Sequence, residues 1–407
     1  LPPSLGSVFM EMSQSANHPW TMYPVLSLGA INTTREYGSD AVKSTYVPPM
    51  VEGRWAGTMC LTEANAGSDL GLLRTKAEPN GDGTYALTGS KIFISSGDHD
   101  LAENIVHIVL ARLPDAPPGV KGISLFLVPK FKVNDDGSVG ERNGVSCGSI
   151  EHKMGIHGNS TCVLNFDDAS GYLLGEPHRG MRQMFTFINE SRLMVAQCAQ
   201  GAAERSYQGA LEYARERLQM RAPVRRNPDK PADPIIVHPD VRRMLLTQKA
   251  FAEGGRLLTM FCAKQVDIAH FGSDEQKQQA ESFLALLTPI AKGFLSETAN
   301  EAASYGIQVF GGHGYISEWG MEQIARDVRI TSIYEGTTGI QGLDLLGRKI
   351  LATEGKLLEP VLEMVNALVK EDSHGDVVKP LVDELATQVE EWIRLTREVG
   401  AKAMQDP

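Results

Sequence analysis

The apolar residues change period once along the chain, and that change fixes what it can fold into. Between Trp55 and Asp168 they come in short runs, at 56–62, 85–95, 104–111, 123–129 and 161–166, parted by clusters of Gly, Pro, Asn and Asp. Strands at such spacing, with no helical stretch between them, predict an antiparallel barrel or sandwich rather than a doubly wound sheet. After Gly180 the pattern turns helical: Leu193, Ala196, Ala199, Ala203, Tyr207, Leu211, Ala214 and Leu218 recur at three and four and so share one stripe of a long helix.

Proline sets most of the expected boundaries. Five of the 21 prolines fall between Arg221 and Pro239, which predicts an extended loop joining that helix to the next. Helical patterns resume at 240–271 and 274–287, and again from Pro289, with Thr288 read as an N-cap and Pro at the first helical position. Ahead of the strands, a helix over 23–36 ends before Tyr37-Gly38-Ser39-Asp40, and Tyr46-Val47-Pro48-Pro49 forbids its continuation. The expected layout is α+β and multidomain: a helical remnant over 1–52, a β domain over 53–172, a helical bundle over 173–355 and an amphipathic helical segment over 356–407.

Composition narrows the function classes. A net charge of -11 repels a polyanion unless the basic residues gather on one face, so no nucleic-acid partner is expected. The five cysteines show no C-x-x-C pair, which suggests neither a zinc knuckle nor a disulfide framework and fits a reducing, cytoplasmic compartment. The longest apolar runs fall far below the ~20 residues of a membrane span. The chain opens Leu1-Pro2-Pro3, without Met and without a basic segment followed by an apolar one, so no secretory signal is expected and further N-terminal sequence is. Asp98-His99-Asp100, His152 and His157 supply metal-ligand types at no specific spacing, and no metal is expected.

Three stretches carry chemistry. In Met59-Cys60-Leu61-Thr62-Glu63-Ala64-Asn65-Ala66-Gly67-Ser68-Asp69 a β-run breaks into a loop of small and hydroxyl residues, able to offer N–H and O–H groups to a pyrophosphate or a flat heteroatom-rich ligand, although a surface turn is the commoner meaning of such composition. Ile92-Phe93-Ile94-Ser95 sets an aromatic beside a hydroxyl at a strand end. The third joins Gln308-Val309-Phe310-Gly311-Gly312-His313-Gly314 to Tyr334-Glu335-Gly336-Thr337-Thr338-Gly339. Its Gly-Gly-x-Gly lies in no βαβ unit, which disfavours a Rossmann nicotinamide site. Glu335 stands in an otherwise uncharged segment, either in an apolar cleft with a raised pKa or in an exposed loop.

These stretches, in this order, resemble the acyl-CoA dehydrogenase family over about 47–351, and within it the larger bacterial members with an added C-terminal helical region, a subgroup that includes 3-(methylthio)propanoyl-CoA dehydrogenases. The resemblance implies FAD, an acyl-CoA substrate, electron-transfer flavoprotein as electron acceptor, and a homo-oligomer, either a dimer or a dimer of dimers. It makes Glu335 the base that removes the α-proton while hydride leaves the β-carbon for flavin N5. Met59, Leu61, Thr62, Gly67 and Ser68 match the flavin loop, with Ser68 also reaching substrate. Phe93, Ile94 and Ser95 match the strand against the isoalloxazine. Arg217, Gln308, Gly311 and Gly312 match positions that reach the cofactor of a neighbouring subunit, and Gly336, Thr337 and Gly339 lie near it. Asn189, Arg192 and Tyr334 match substrate contacts. Phe93 stands where many members have Trp, Met220 where Phe is usual, and Gly339 where Gln or Glu is common. A DNA-associated role, as proposed for some relatives of the family, fits poorly with the net charge of -11 and with the absence of a dense Lys/Arg cluster on the late helices.

Overall fold

The computed structural model describes residues 2–225, 228–371 and 375–405. Among the described residues, two helices, α1 (Pro3–Tyr37) and α2 (Asp40–Val51), precede nine strands. These are β1 (Trp55–Cys60), β2 (Lys76–Pro79), β3 (Tyr85–Ser95), β4 (Asn104–Arg112), β5 (Ile123–Pro129), β6 (Phe131–Val133), β7 (Val139–Arg142), β8 (Val145–Ile150) and β9 (Thr161–Leu174). The bundle follows as α3 (Gly180–Glu216), α4 (Pro239–Phe271) and α5 (Asp274–Phe310), with the short α6 (Gly312–Tyr315), α7 (Met321–Val328) and α8 (Thr338–Leu343) against it. The chain then continues through α9 (Glu359–Val369) and α10 (Lys379–Gln405). None of the described helices is long and apolar enough to cross a membrane.

The sheet closes on itself. β5 pairs with β4 and β9, β9 with β3, β3 with β2, and β2 returns to β4 through Lys76 and Arg112. Strand alternation splits the apolar side chains between two cores. Val109 and Ala111 of β4, with Phe126 and Val128 of β5, fill the core shared with Leu87, Leu164 and Phe166. Val106, Ile108 and Leu110, with Leu125 and Leu127, face Leu26 and Ala30 of α1 and Phe187 of α3. Both faces of β4 and β5 are therefore buried, which is why their interiors read as near-continuous apolar runs, interrupted by His107 and Ser124.

The sheet is mixed rather than antiparallel, because β1 runs parallel to β4, from Trp55 opposite Asn104 to Cys60 opposite Val109. A parallel pair needs a long connection rather than a hairpin. Here the β2–β3 hairpin lies inside that connection, so no helix marks it.

Three proline boundaries also differ from expectation. α1 begins at Pro3 and carries Pro19 and Pro24; Asn17 leaves the helical region, and its side chain accepts from Trp20 N at 3.1 Å, restarting the helix across a kink. α2 keeps Pro48 and Pro49 in its last turns, where Tyr46, Pro49 and Met50 are buried. α5 runs through Pro289, and Thr288 caps nothing: its hydroxyl donates to Leu284 O at 2.7 Å. The start of α5 is instead the capping box of Ser273 and Gln276. In α2 and α5 burial of the surrounding helix outweighs the lost backbone donor, whereas Pro19 sits in the first turn after the kink, where the missing N–H has no helical partner to lose.

The bundle core is built from alanine. Ala196, Ala199 and Ala203 of α3 meet Ala291, Ala299, Ala302 and Ala303 of α5, side chains small enough to bring the two backbones close together. That contact positions the site, because α3 carries Ser191 and Arg192 while α5 carries Lys292 beneath the Glu335 loop.

Candidate active site

Glu335 lies between the 3-10 turn Arg329–Ser332 and α8, in the left-handed region at φ 55°, followed by Gly336 at φ 88°. A glutamate in this conformation is strained by roughly 1–2 kcal/mol, so its surroundings must hold it there. Gln341 does so from the first turns of α8: its Nε2 donates to the carbonyls of Glu335 and Gly336, both at 3.1 Å. Lys292 Nζ, fully buried, donates to the same Gly336 carbonyl at 2.5 Å. Thr337 caps α8 through its hydroxyl, which accepts from Ile340 N at 3.2 Å.

The Glu335 carboxylate accepts from Ser191 Oγ at 2.7 Å. Its acid is pushed above the ordinary range by desolvation, opposed by the Ser191 hydrogen bond and by the charges of Lys292 and Arg192. The neighbouring Tyr334 phenol is raised too, again chiefly by burial. A group whose folded pKa is raised stabilises the fold fully below its unfolded value, 4.5, and gives up that stability as pH rises through the folded value. Glu335→Gln is therefore expected to melt higher than the parent at neutral pH, with the gap narrowing as pH falls through the raised folded pKa and closed by 4.5. A gap independent of pH would mean that the carboxylate is not desolvated.

Asn189 and Arg192 line a mostly apolar cavity of about 1120 Å³ between α1, α3, α4 and α5. Glu335 is not among its lining residues; Ser191, one position before Arg192, reaches the carboxylate instead. The Arg192 guanidinium does not stand free in that cavity. It is buried and bonds Asp344 at 2.8 Å, with Arg348 3.5 Å from the other Asp344 oxygen.

The expected cofactor residues fall in two places. On the barrel, Met59 and Leu61 pack against the helix-facing core, and the loop after them is tied down by a buried pair, Lys91 and Glu63, at 2.8 Å. Lys91 also donates to Leu61 O, Glu63 accepts from Arg74 N, Thr75 N and Thr75 Oγ1, and Ile92 N donates to Thr62 O, which brings this loop against β3. Ile94 is buried; Phe93, beside it, takes φ 59° and leaves its ring 60% exposed, so the strand presents an aromatic face outward. The hydroxyls of Thr62, Ser68 and Ser95 make no side-chain hydrogen bond among the described residues. At the far end of the bundle, Arg217 caps α3, and Gln308, Gly311 and Gly312 close α5; all four are exposed, and a Cβ on either glycine would meet open space. Gly339 is exposed, and its Cβ would only touch Thr337 Oγ1, at 3.8 Å.

Sequence reasoning missed Ser191, Lys292 and Gln341. A signal existed for one of them. Lys292 is a lone cation within the apolar stretch Leu284-Ala285-Leu286-Leu287-Thr288-Pro289-Ile290-Ala291, continuing through Gly293-Phe294, so no helical face could expose it. Among the described residues no group of three His, Cys, Asp or Glu is placed to hold a metal ion.

A closed β barrel is joined to a helical bundle that holds a carboxylate of raised pKa on Ser191, one residue along from the lining of an open, ligand-sized cleft. The acyl-CoA dehydrogenase middle domain matches residues 58–169 and the acyl-CoA dehydrogenase C-terminal domain matches 178–351. The 3-methylmercaptopropionyl-CoA dehydrogenase of Ruegeria pomeroyi is 48% identical over 92% of this chain and 63% of its own length. The short-chain specific acyl-CoA dehydrogenase of Megasphaera elsdenii is 32% identical over 83% of this chain and 77% of its own. The solved structure of Caenorhabditis elegans ACDH-11 in complex with C11-CoA superposes with TM-score 0.81 at 25% identity, covering 94% of this chain and 63% of that one. The chain belongs to the acyl-CoA dehydrogenase family, whose members are FAD-dependent. It spans about three fifths of the length of the first-ranked curated relatives, at 63% and 58%.

Proposed function

We propose that this chain carries out FAD-dependent α,β-dehydrogenation of an acyl-CoA thioester, with Glu335 as the base. The observation that supports this most directly is the Glu335 carboxylate itself, desolvated, hydrogen-bonded by Ser191 and fixed on a clamped left-handed turn. A carboxylate raised toward neutral pH is matched to the removal of a weakly acidic proton.

The residues fit the cofactor. The unpartnered hydroxyls of Thr62, Ser68 and Ser95, the outward face of Phe93 and the open approach over Gly67 would hold it on the barrel. Arg217, Gln308, Gly311 and Gly312 would reach it from another subunit of a homo-oligomer, since they stand exposed at the bundle's end. When bound, the flavin supplies the two-electron acceptor for the hydride that leaves the β-carbon. Glu335 takes the α-proton onto its carboxylate, and Ser191 holds that carboxylate in one orientation. The apolar cavity beside Asn189 and Arg192 would take part of the thioester. Electron-transfer flavoprotein is the proposed acceptor, and the 48% relative makes a short methylthio-acyl-CoA the first substrate to try.

The test is a panel of acyl-CoA thioesters assayed with a dye acceptor, on protein whose flavin has been measured. Purified protein is expected to carry FAD. Added FAD should raise the melting temperature of depleted protein, as any ligand of the native state alone does. Protein that neither holds flavin nor bleaches it with any thioester would overturn the reading.

A further inference from the structure

Two lysines are fully buried among the described residues, Lys91 and Lys292. Lys91 has Glu63 at 2.8 Å, whereas Lys292 makes no ion pair among the described residues and donates only to the Gly336 carbonyl. Burying an unpaired ammonium is costly even after relaxation, and a neutral amide could fill the same carbonyl. Gln341 already donates there. The charge itself therefore needs a reason.

The groups facing Lys292 supply one. From the loop there is Glu335, from α3 Arg192, and from its own helix Glu297. Arg192 is committed to Asp344 at 2.8 Å, and Glu297 accepts from Thr338 Oγ1. Of the two cations that act on Glu335, Lys292 is the one with no carboxylate of its own within ion-pair reach. We propose that Lys292 is a positioning residue for Glu335: held on the Gly336 carbonyl, its ammonium braces the left-handed Glu335–Gly336 turn and supplies the buried counter-charge that keeps the carboxylate ionised. The inference rests on Glu335 being the base. Burial lowers the Lys292 amine to about 8, so the ammonium persists at neutral pH and below, where the carboxylate must be charged.

Two variants separate the parts of this role. Lys292→Met removes both donor and charge; Lys292→Gln keeps a donor for Gly336 and removes the charge. In both, the acid limb of the kcat profile should move to higher pH, with about tenfold lost below it for each unit of displacement and KM little changed. Lys292→Arg should return the limb toward the parent. Gln341→Leu should lower kcat while leaving the limb in place, because it removes a brace but no charge.

An independent readout is the Glu335 carboxyl band in infrared difference spectra, parent minus Glu335→Gln, followed against pH with no substrate present. It should titrate higher in the Lys292→Gln background. A band and a limb that stay in place in Lys292→Gln would overturn the counter-charge. Glu335→Gln as active as the parent would end the reading of Glu335 as base, while the infrared titration would still decide what Lys292 does to the carboxyl.

Discussion

Glu335→Gln is expected to lower kcat at least ~10²-fold while leaving FAD content and thioester binding in place. General-base catalysis typically contributes ~10² to 10⁴-fold, and the substitution removes the proton acceptor with almost no change in shape. The amide oxygen can still accept from Ser191, and the backbone clamps from Gln341 and Lys292 do not involve the side chain. A loss confined to kcat would mark an interaction made with the reacting proton rather than uniform binding. The parent should also lose activity as pH falls through the raised pKa of Glu335, since only the carboxylate accepts the proton. The Gln variant's residual rate should show no such limb. Near parental bleaching of flavin by Glu335→Gln on mixing with thioester would assign the base elsewhere.

The sequence made the change of period legible, and with it the barrel, the long helix α3 and the order of the parts. Those are local properties: a strand or helical stripe is written in neighbouring residues. Pairing is not, and the parallel contact of β1 with β4 could not be seen in residues that each strand carries alone. Proline misled for a related reason. At Pro24, Pro48 and Pro289 the local rule predicts a break, yet the buried faces of α1, α2 and α5 hold the helices together, whereas at Pro19 α1 does kink, beside Asn17.

At the site the same division holds. Glu335 stood out as an isolated charge among Gly and Thr, and the structure places it under Ser191, 144 residues away in the chain. Ser191 lay inside Asn189-Glu190-Ser191-Arg192 and drew no attention, because a serine becomes informative only when its partner is known. Arg192, expected to meet the thioester, lines the cavity and is held in a buried ion pair whose partner, Asp344, belongs to a turn beyond α8. That turn, Asp344–Ile350, is a π turn continuing α8, a form seen mostly as short inserts at functional sites.

The Arg192–Asp344 pair yields the largest expected effect on stability. Both side chains are almost wholly buried, at 5% and 2% exposure, so removing one partner strands the other in a medium that solvates charge poorly. Breaking such a pair typically costs ~3–5 kcal/mol. The two single variants should not cost the same. After Arg192→Ala, Asp344 still has Arg348 at 3.5 Å, a side chain 67% exposed that can carry water to it. After Asp344→Ala, Arg192 has no carboxylate within ion-pair reach among the described residues; the Glu335 carboxylate acts on it only from farther off, the Phe185 ring lies 5.9 Å away, and its Nε is already buried without a partner. Asp344→Ala is therefore expected to be the more destabilising of the two. Replacing both by Met and Leu should recover much of the loss, because a well-packed apolar pair does without the desolvation of two charges. The measurement is the melting temperature of the four proteins as a double-mutant cycle, with KM followed in parallel. Single variants that melt with the parent would show that the pair is hydrated and would return Arg192 to the thioester.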